Sequence, residues 1–133
     1  MTHILIVDDT LANGRLAQTV LQKAGYIVTM VDNAEDALKF LAENHKQIDL
    51  VVSDIHMPQI DGFEFLKLLK SDTKYAQIPF AFLTLSMWSM EVKKQGLELG
   101  ADAFIFRPME ARALVTEVES VLPEEKRVRS VQS

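Results

Sequence analysis

The sequence predicts a doubly wound α/β sandwich: one five-stranded parallel sheet with helices on both faces. Three observations lead there. Five short apolar runs alternate with five helical patterns, and right-handed crossovers then place helices on both sides of a parallel sheet. The third run, Leu50-Val51-Val52-Ser53, is rich in β-branched residues, as suits a strand covered on both faces. It ends on Asp54, and Met57-Pro58 and Asp61-Gly62 break regular structure before the next helix. Asp54 therefore belongs at the carboxyl end of a central strand, where open α/β sheets bind ligands.

The elements follow in order. His3-Ile4-Leu5-Ile6-Val7 is the first strand, also central, and it ends in Asp8-Asp9. A helix from about Thr10 to Ala24 places Leu16, Ala17, Val20, Leu21 and Ala24 on one stripe, and Gly25 ends it. Tyr26 to Val31 is the second strand. Asn33 caps a second helix, with Ala34, Ala37, Leu38 and Leu41 at helical spacing. The third helix runs from about Gly62 to Lys70. Pro79 opens the fourth strand, Phe80 to Thr84, since proline is tolerated at a strand start. A fourth helix turns Val92, Gly96 and Leu99 inward and stops at Gly100. Ala103 to Phe106 is the fifth strand, leading into Arg107-Pro108. The fifth helix aligns Ala111, Leu114, Val115, Val118 and Leu122, and Pro123 lies past its end. The domain spans residues 1–122. Residues 123–133 read as a polar tail, frayed or the start of a linker.

Composition narrows the function. A chain of 133 residues with 48% apolar and 25% charged residues is one soluble globular domain. It has no cysteine, so disulfides and thiolate metal sites are excluded. No apolar run approaches the roughly 18 residues of a membrane helix, and the first residues lack signal-peptide character. A cytoplasmic location is the default. The net charge of −5 argues against direct nucleic-acid binding, which needs clustered Lys and Arg.

Several strands end in polar residues at one edge: Asp8 and Asp9, Asp54, Thr84, and Arg107. In the flavodoxin-like strand order 2-1-3-4-5, the first, third and fourth strands are neighbours, so the carboxylates converge at the switch point. Asp32 falls at the sheet margin. Converging carboxylates repel unless a cation or proton intervenes. Oxygen-only ligands in an open pocket favour Mg²⁺. Thr84 offers a hydroxyl donor and Arg107 a fixed positive charge. Together these parts suit phosphoryl transfer to a carboxylate, which is mostly positioning and charge neutralisation. A single Asp at a strand end is more often a cap, and Asp9 or Thr10 alone fits that role. The set as a whole does not. Asp61 reads as a turn or cap residue, and His3 and His45 as surface residues. His56 lies at the pocket rim, with nothing pairing it as a catalytic base.

With these residues in place the chain resembles a receiver domain of the two-component response regulator family. The motifs are Ile6-Val7-Asp8-Asp9, Ser53-Asp54 with Met57-Pro58 and Gly62, Leu83-Thr84, and Gly100-Ala101-Asp102-Ala103-Phe104 leading to Arg107-Pro108. The resemblance implies that Asp54 is the phosphoacceptor, charged by a sensor histidine kinase or phosphotransfer protein. It implies that Asp8, Asp9, Asp54 and the His56 backbone carbonyl hold Mg²⁺, Asp8 through water. Thr84 is then the switch hydroxyl and Phe104 the aromatic that moves inward with it. Such a domain is not an enzyme beyond its own phosphotransfer and dephosphorylation.

Two positions depart from the family pattern. Arg107 replaces the usual Lys, a planar fork for a compact ammonium, and Leu85 stands where a small residue is usual. Both bear on phosphorylation rate and lifetime. The helix-four, strand-five, helix-five face is the expected output surface, with Met87 and Met90 as adaptable contacts for a protein partner or a second copy. Trp88 is as well suited to packing on the domain itself. The competing reading is a pseudo-receiver that binds a partner without phosphorylation. A phosphohydrolase lacks its second acidic residue in Asp54-Ile55-His56, and Asp8-Asp9-Thr10-Leu11 has the wrong charge for a flavin phosphate loop. A stand-alone receiver and the N-terminal part of a longer regulator fit the sequence equally.

Overall fold

The structure, a computed structural model, describes residues 2–84, 90–106 and 110–128. Its elements are β1 (His3–Val7), α1 (Leu11–Lys23), β2 (Ile27–Val31), α2 (Ala34–Asn44), β3 (Leu50–Ser53), α3 (Gly62–Lys70), β4 (Phe80–Thr84), α4 (Met90–Glu98), β5 (Ala103–Phe106) and α5 (Ala111–Val121). Short 3₁₀ turns occupy His45–Gln47 and Glu124–Lys126. The strands pair in parallel in the order β2-β1-β3-β4-β5, as expected for the doubly wound fold.

Successive strand side chains point to opposite faces, so the apolar runs build two cores. On one face Leu5, Val7, Val51, Phe80 and Phe82 meet Ala34, Ala37 and Leu41 of α2 and Phe65, Leu66 and Leu69 of α3. On the other, Ile4, Ile6, Leu50, Val52, Leu83 and Ile105 meet Ala17 and Leu21 of α1 and Leu114, Val118 and Leu122. All four residues of β3 are buried, which is why that run carries no alternation.

Helix ends follow local chemistry. The Asn33 side chain accepts from Asp36 N–H at 2.7 Å, and Asp61 accepts from Glu64 N–H at 2.9 Å. Past α1, Gly25 takes φ +107° and Tyr26 N–H donates back to Leu21 O at 3.1 Å. Gly100 likewise takes φ +116° after α4.

Three expectations need correction. Leu16 is 63% exposed, because the buried stripe of α1 runs through Gly14, Ala17 and Leu21 and leaves Leu16 on the opposite side. Ala111 is exposed, since it opens α5 one turn ahead of Leu114. Tyr26 precedes β2 and is buried, with its hydroxyl donating to the buried Glu119 at 2.8 Å. The polar segment after α5 is stitched to the base of the sheet over its described part. Thr2 Oγ1 donates to Lys126 O, Lys126 pairs with Asp49 at 3.2 Å, and Val128 N–H donates to Tyr26 Oη at 3.2 Å.

At the same base the His3 ring shares a 2.7 Å hydrogen bond with Thr29 Oγ1, and His3 N–H donates to Asp49 at 2.9 Å. Burial holds the His3 pKa below its ordinary 6.5, partly opposed by the Asp49 charge. The folded state therefore binds the proton less readily than the unfolded chain. His3 contributes its full stability above pH 6.5 and loses it as pH falls through that value toward the lowered folded pKa. The urea midpoint is expected to fall over this range, and His3→Gln to flatten the fall, measured by denaturation at stepped pH.

Candidate functional site

Register builds the site. β1 and β3 are neighbours, with Val7 opposite Ser53, and Asp54 N–H donates to Val7 O at 2.9 Å. The residues that follow, Asp8 and Asp54, therefore emerge side by side at the carboxyl edge. Carboxylate oxygens of Asp8, Asp9 and Asp54 all lie within 4.8 Å of one another. Asp8 is buried, Asp54 half-buried and Asp9 exposed, so the cluster opens to solvent on one side.

Backbone donors orient two of the three. Asp8 Oδ1 accepts from Thr10 N–H at 2.8 Å, which turns the chain into α1. Asp54 Oδ1 accepts from Ile55 N–H at 2.7 Å. Thr10 occupies the α1 N-cap without a side-chain cap bond, so neither Asp9 nor Thr10 serves as the capping side chain considered from sequence. Asp61 does cap α3, as expected.

The loop after Asp54 is held tightly. Ile55 and Met57 point into the core, His56 is exposed at the rim, and Gly62 N–H donates to Ile55 O at 2.7 Å. A Cβ on Gly62 would collide with the Asp54 carbonyl and stand 2.9 Å from Ile55 Cα. Here glycine is required by close backbone approach rather than by conformation.

The remaining predicted residues divide. Thr84 ends β4 at the same edge and is 2% exposed. Phe104 is buried in β5, its ring 5.5 Å from Phe82 and 5.1 Å from Phe106, and Phe82 continues to Phe63 of α3 at 5.3 Å. Met90 opens α4 and is 78% exposed. Arg107, Met87, Leu85 and Trp88 lie outside the described residues. Sequence reasoning missed Glu35 and Gln59, whose side chains meet beside the loop; Pro58 and Asp61-Gly62 announce a turn there, but nothing marks its partner.

The fold and the acidic edge define a class, and comparison with known proteins assigns it. The chain belongs to the response regulator receiver domain family, whose model matches residues 4–119. It is 33% identical over 127 residues to the response regulator SaeR of Staphylococcus aureus, covering 96% of this chain and 53% of SaeR. The chain spans about half the length of the curated relatives it matches first. Among solved structures it is similar to the Vibrio cholerae chemotaxis protein CheY4, with a TM-score of 0.81, 32% identity, and 92% and 99% of the two chains covered. It is equally similar to the signal receiver domain of a signal transduction histidine kinase from Syntrophus aciditrophicus, with a TM-score of 0.82, 32% identity, and 100% and 98% covered. Receiver domains are signalling domains rather than conventional enzymes. Among the described residues no helix is long and apolar enough to cross a membrane.

Three clustered carboxylates with no cation between them repel. Asp9→Asn is expected to raise the urea midpoint in EDTA at low ionic strength, and added salt to shrink the gain. Gly62→Ala is expected to cost about 1–3 kcal/mol, by the same denaturation measurement, because backbone must shift to admit the methyl group.

Proposed function

We propose that this chain is a phosphoacceptor receiver: Asp54 accepts a phosphoryl group from a sensor histidine kinase or phosphotransfer protein, and the modified domain changes its contacts with a protein partner or a second copy. The observation that carries the reading is the convergence of Asp8, Asp9 and Asp54 at one open sheet edge. The cytoplasm is the compartment that fits such a donor, and the chain's own charge balance argues against direct nucleic-acid contact.

The donor set fits a divalent cation. It is all oxygen, it carries several negative charges, and it is open on the Asp9 side, which leaves room for retained waters. Asp8, Asp9, Asp54 and the His56 carbonyl are the residues that would hold Mg²⁺, Asp8 through water. When bound, the ion would neutralise charge on the incoming phosphoryl oxygens.

The chain's own groups then divide the work. Ile55 N–H orients the Asp54 carboxylate. One Asp54 oxygen forms a bond to phosphorus as the donor's bond to phosphorus breaks, and that bond's electron pair leaves with the donor. The Thr84 hydroxyl donates to a phosphoryl oxygen, and Arg107 adds a positive charge. As Thr84 is drawn toward the new group, Phe104 of the neighbouring strand β5 responds. A carboxyl phosphate adds charge and strong acceptors, so it shifts an existing two-state equilibrium. The α4–β5–α5 face, with Met87 and Met90, is the proposed output surface.

Intact-mass measurement after incubation with acetyl phosphate and Mg²⁺ is expected to give a single phosphoryl adduct that EDTA abolishes and Asp54→Ala lacks. Absence of an adduct with both the small donor and a panel of histidine kinases would leave a phosphorylation-independent interaction domain as the better reading.

A further inference from the structure

The loop that carries His56 is a closed ring, since Gly62 N–H returns to Ile55 O at 2.7 Å. Inside it Ile60 N–H donates to Pro58 O at 2.8 Å, and the residue between them, Gln59, has φ +70°. A three-residue turn with positive φ at its centre is the strained member of the γ-turn pair. Gln59 is the only non-glycine with positive φ among the described residues. Any side chain disfavours this backbone, so the surroundings must hold it there.

The holding contact comes from α2. With its amide nitrogen turned toward that helix, Gln59 donates to both carboxylate oxygens of Glu35, at 3.0 and 2.6 Å. Glu35 sits in the first turn of α2, which the Asn33 side chain caps through Asp36 N–H at 2.7 Å. The anchor is thus a fixed helix end. The far side of the loop is secured by Ile55 and Met57, both buried in the core. His56 lies between those two core residues, and Pro58 links Met57 to the anchored Gln59.

We propose that Glu35 and Gln59 are positioning residues for the acidic site. Their two-pronged contact keeps the strained turn closed and so fixes the His56 carbonyl relative to Asp54. The inference rests on the reading of that edge as a divalent-cation and phosphoryl site. Neither side chain touches the ion or the phosphoryl group; both act through the loop.

The test is calorimetric Mg²⁺ titration of the full chain and of Glu35→Ala, Glu35→Gln and the double variant Glu35→Ala/Gln59→Gly. Glu35→Ala is expected to weaken Mg²⁺ binding about tenfold, the lower range for loss of an outer-shell partner. Its acetyl phosphate labelling rate should return toward the wild-type value at saturating Mg²⁺, a split that simple loss of stability does not produce. Glu35→Gln keeps one of the two acceptor oxygens for the Gln59 amide and is expected to bind Mg²⁺ with an affinity between those of the wild type and Glu35→Ala. The double variant is expected to recover most of the affinity, because glycine adopts the turn without a clamp. Urea unfolding in EDTA checks that each variant is folded. A folded Glu35→Ala with wild-type Mg²⁺ affinity, or a double variant no better than Glu35→Ala, overturns the clamp alone. A wild type that takes up no Mg²⁺ overturns the receiver reading and the clamp together.

Discussion

The parallel register of β1 against β3 is the constraint on which the site depends. With Val7 opposite Ser53, the next residue of each strand is an aspartate, and both leave the sheet at one edge. Bringing three carboxylates within 4.8 Å opposes folding through their repulsion. The buried strands supply what offsets it. Each aliphatic or aromatic side chain fully removed from water contributes about 1.5–3 kcal/mol, and β1, β3 and β4 hold many such residues. A charged edge is tolerable because the sheet behind it is dry. The same economy explains why Ile55 N–H and Thr10 N–H are turned toward the acids: each backbone donor stabilises a charge that the sheet itself cannot.

From that edge a row of rings leads outward. Phe104 stands in β5 between Phe82 and Phe106, and Phe82 leads on to Phe63 in α3. Gly96 of α4 faces the same rings, with a hypothetical Cβ only 3.2–3.3 Å from Phe104, Phe82 and Phe63. Packing this close leaves no vacancy for a ring to enter, so the rings constrain one another's positions. Thr84 and Phe82 share one short strand, so the acidic edge and the aromatic row are mechanically adjacent.

Most of the fold was legible in the sequence because its signals are strong and local. Buried parallel strands read as continuous apolar runs, and Asn33, Asp61, Gly25 and Gly100 mark helix ends by their own chemistry. The three aspartates were legible because the flavodoxin-like order makes the first and third strands neighbours, and both runs end in aspartate. Leu16 was misplaced for a definite reason: sequence weighs Leu above Gly, yet Gly14 faces inward, where a Cβ would strike the Met30 sulfur. The close approach of α1 to β2 chose the stripe, and no periodicity reveals how near a neighbouring element comes. Glu35 and Gln59 were illegible for a related reason. Their contact joins the first turn of α2 to the loop after β3, and glutamine carries no signature of positive φ. The stitching of Lys126 and Val128 was hidden because its partners, Thr2, Tyr26 and Asp49, lie far away in sequence and two of its bonds use backbone atoms of the tail.

That stitching has a geometric consequence. Thr2 and Lys126 are hydrogen-bonded neighbours at the base of the sheet, while the acidic cluster opens at the opposite edge. A unit whose two chain crossings lie side by side can be spliced into a surface loop of a host protein, or circularly permuted, with little distortion of either partner. Attachment at this base keeps the acidic edge clear of the junction.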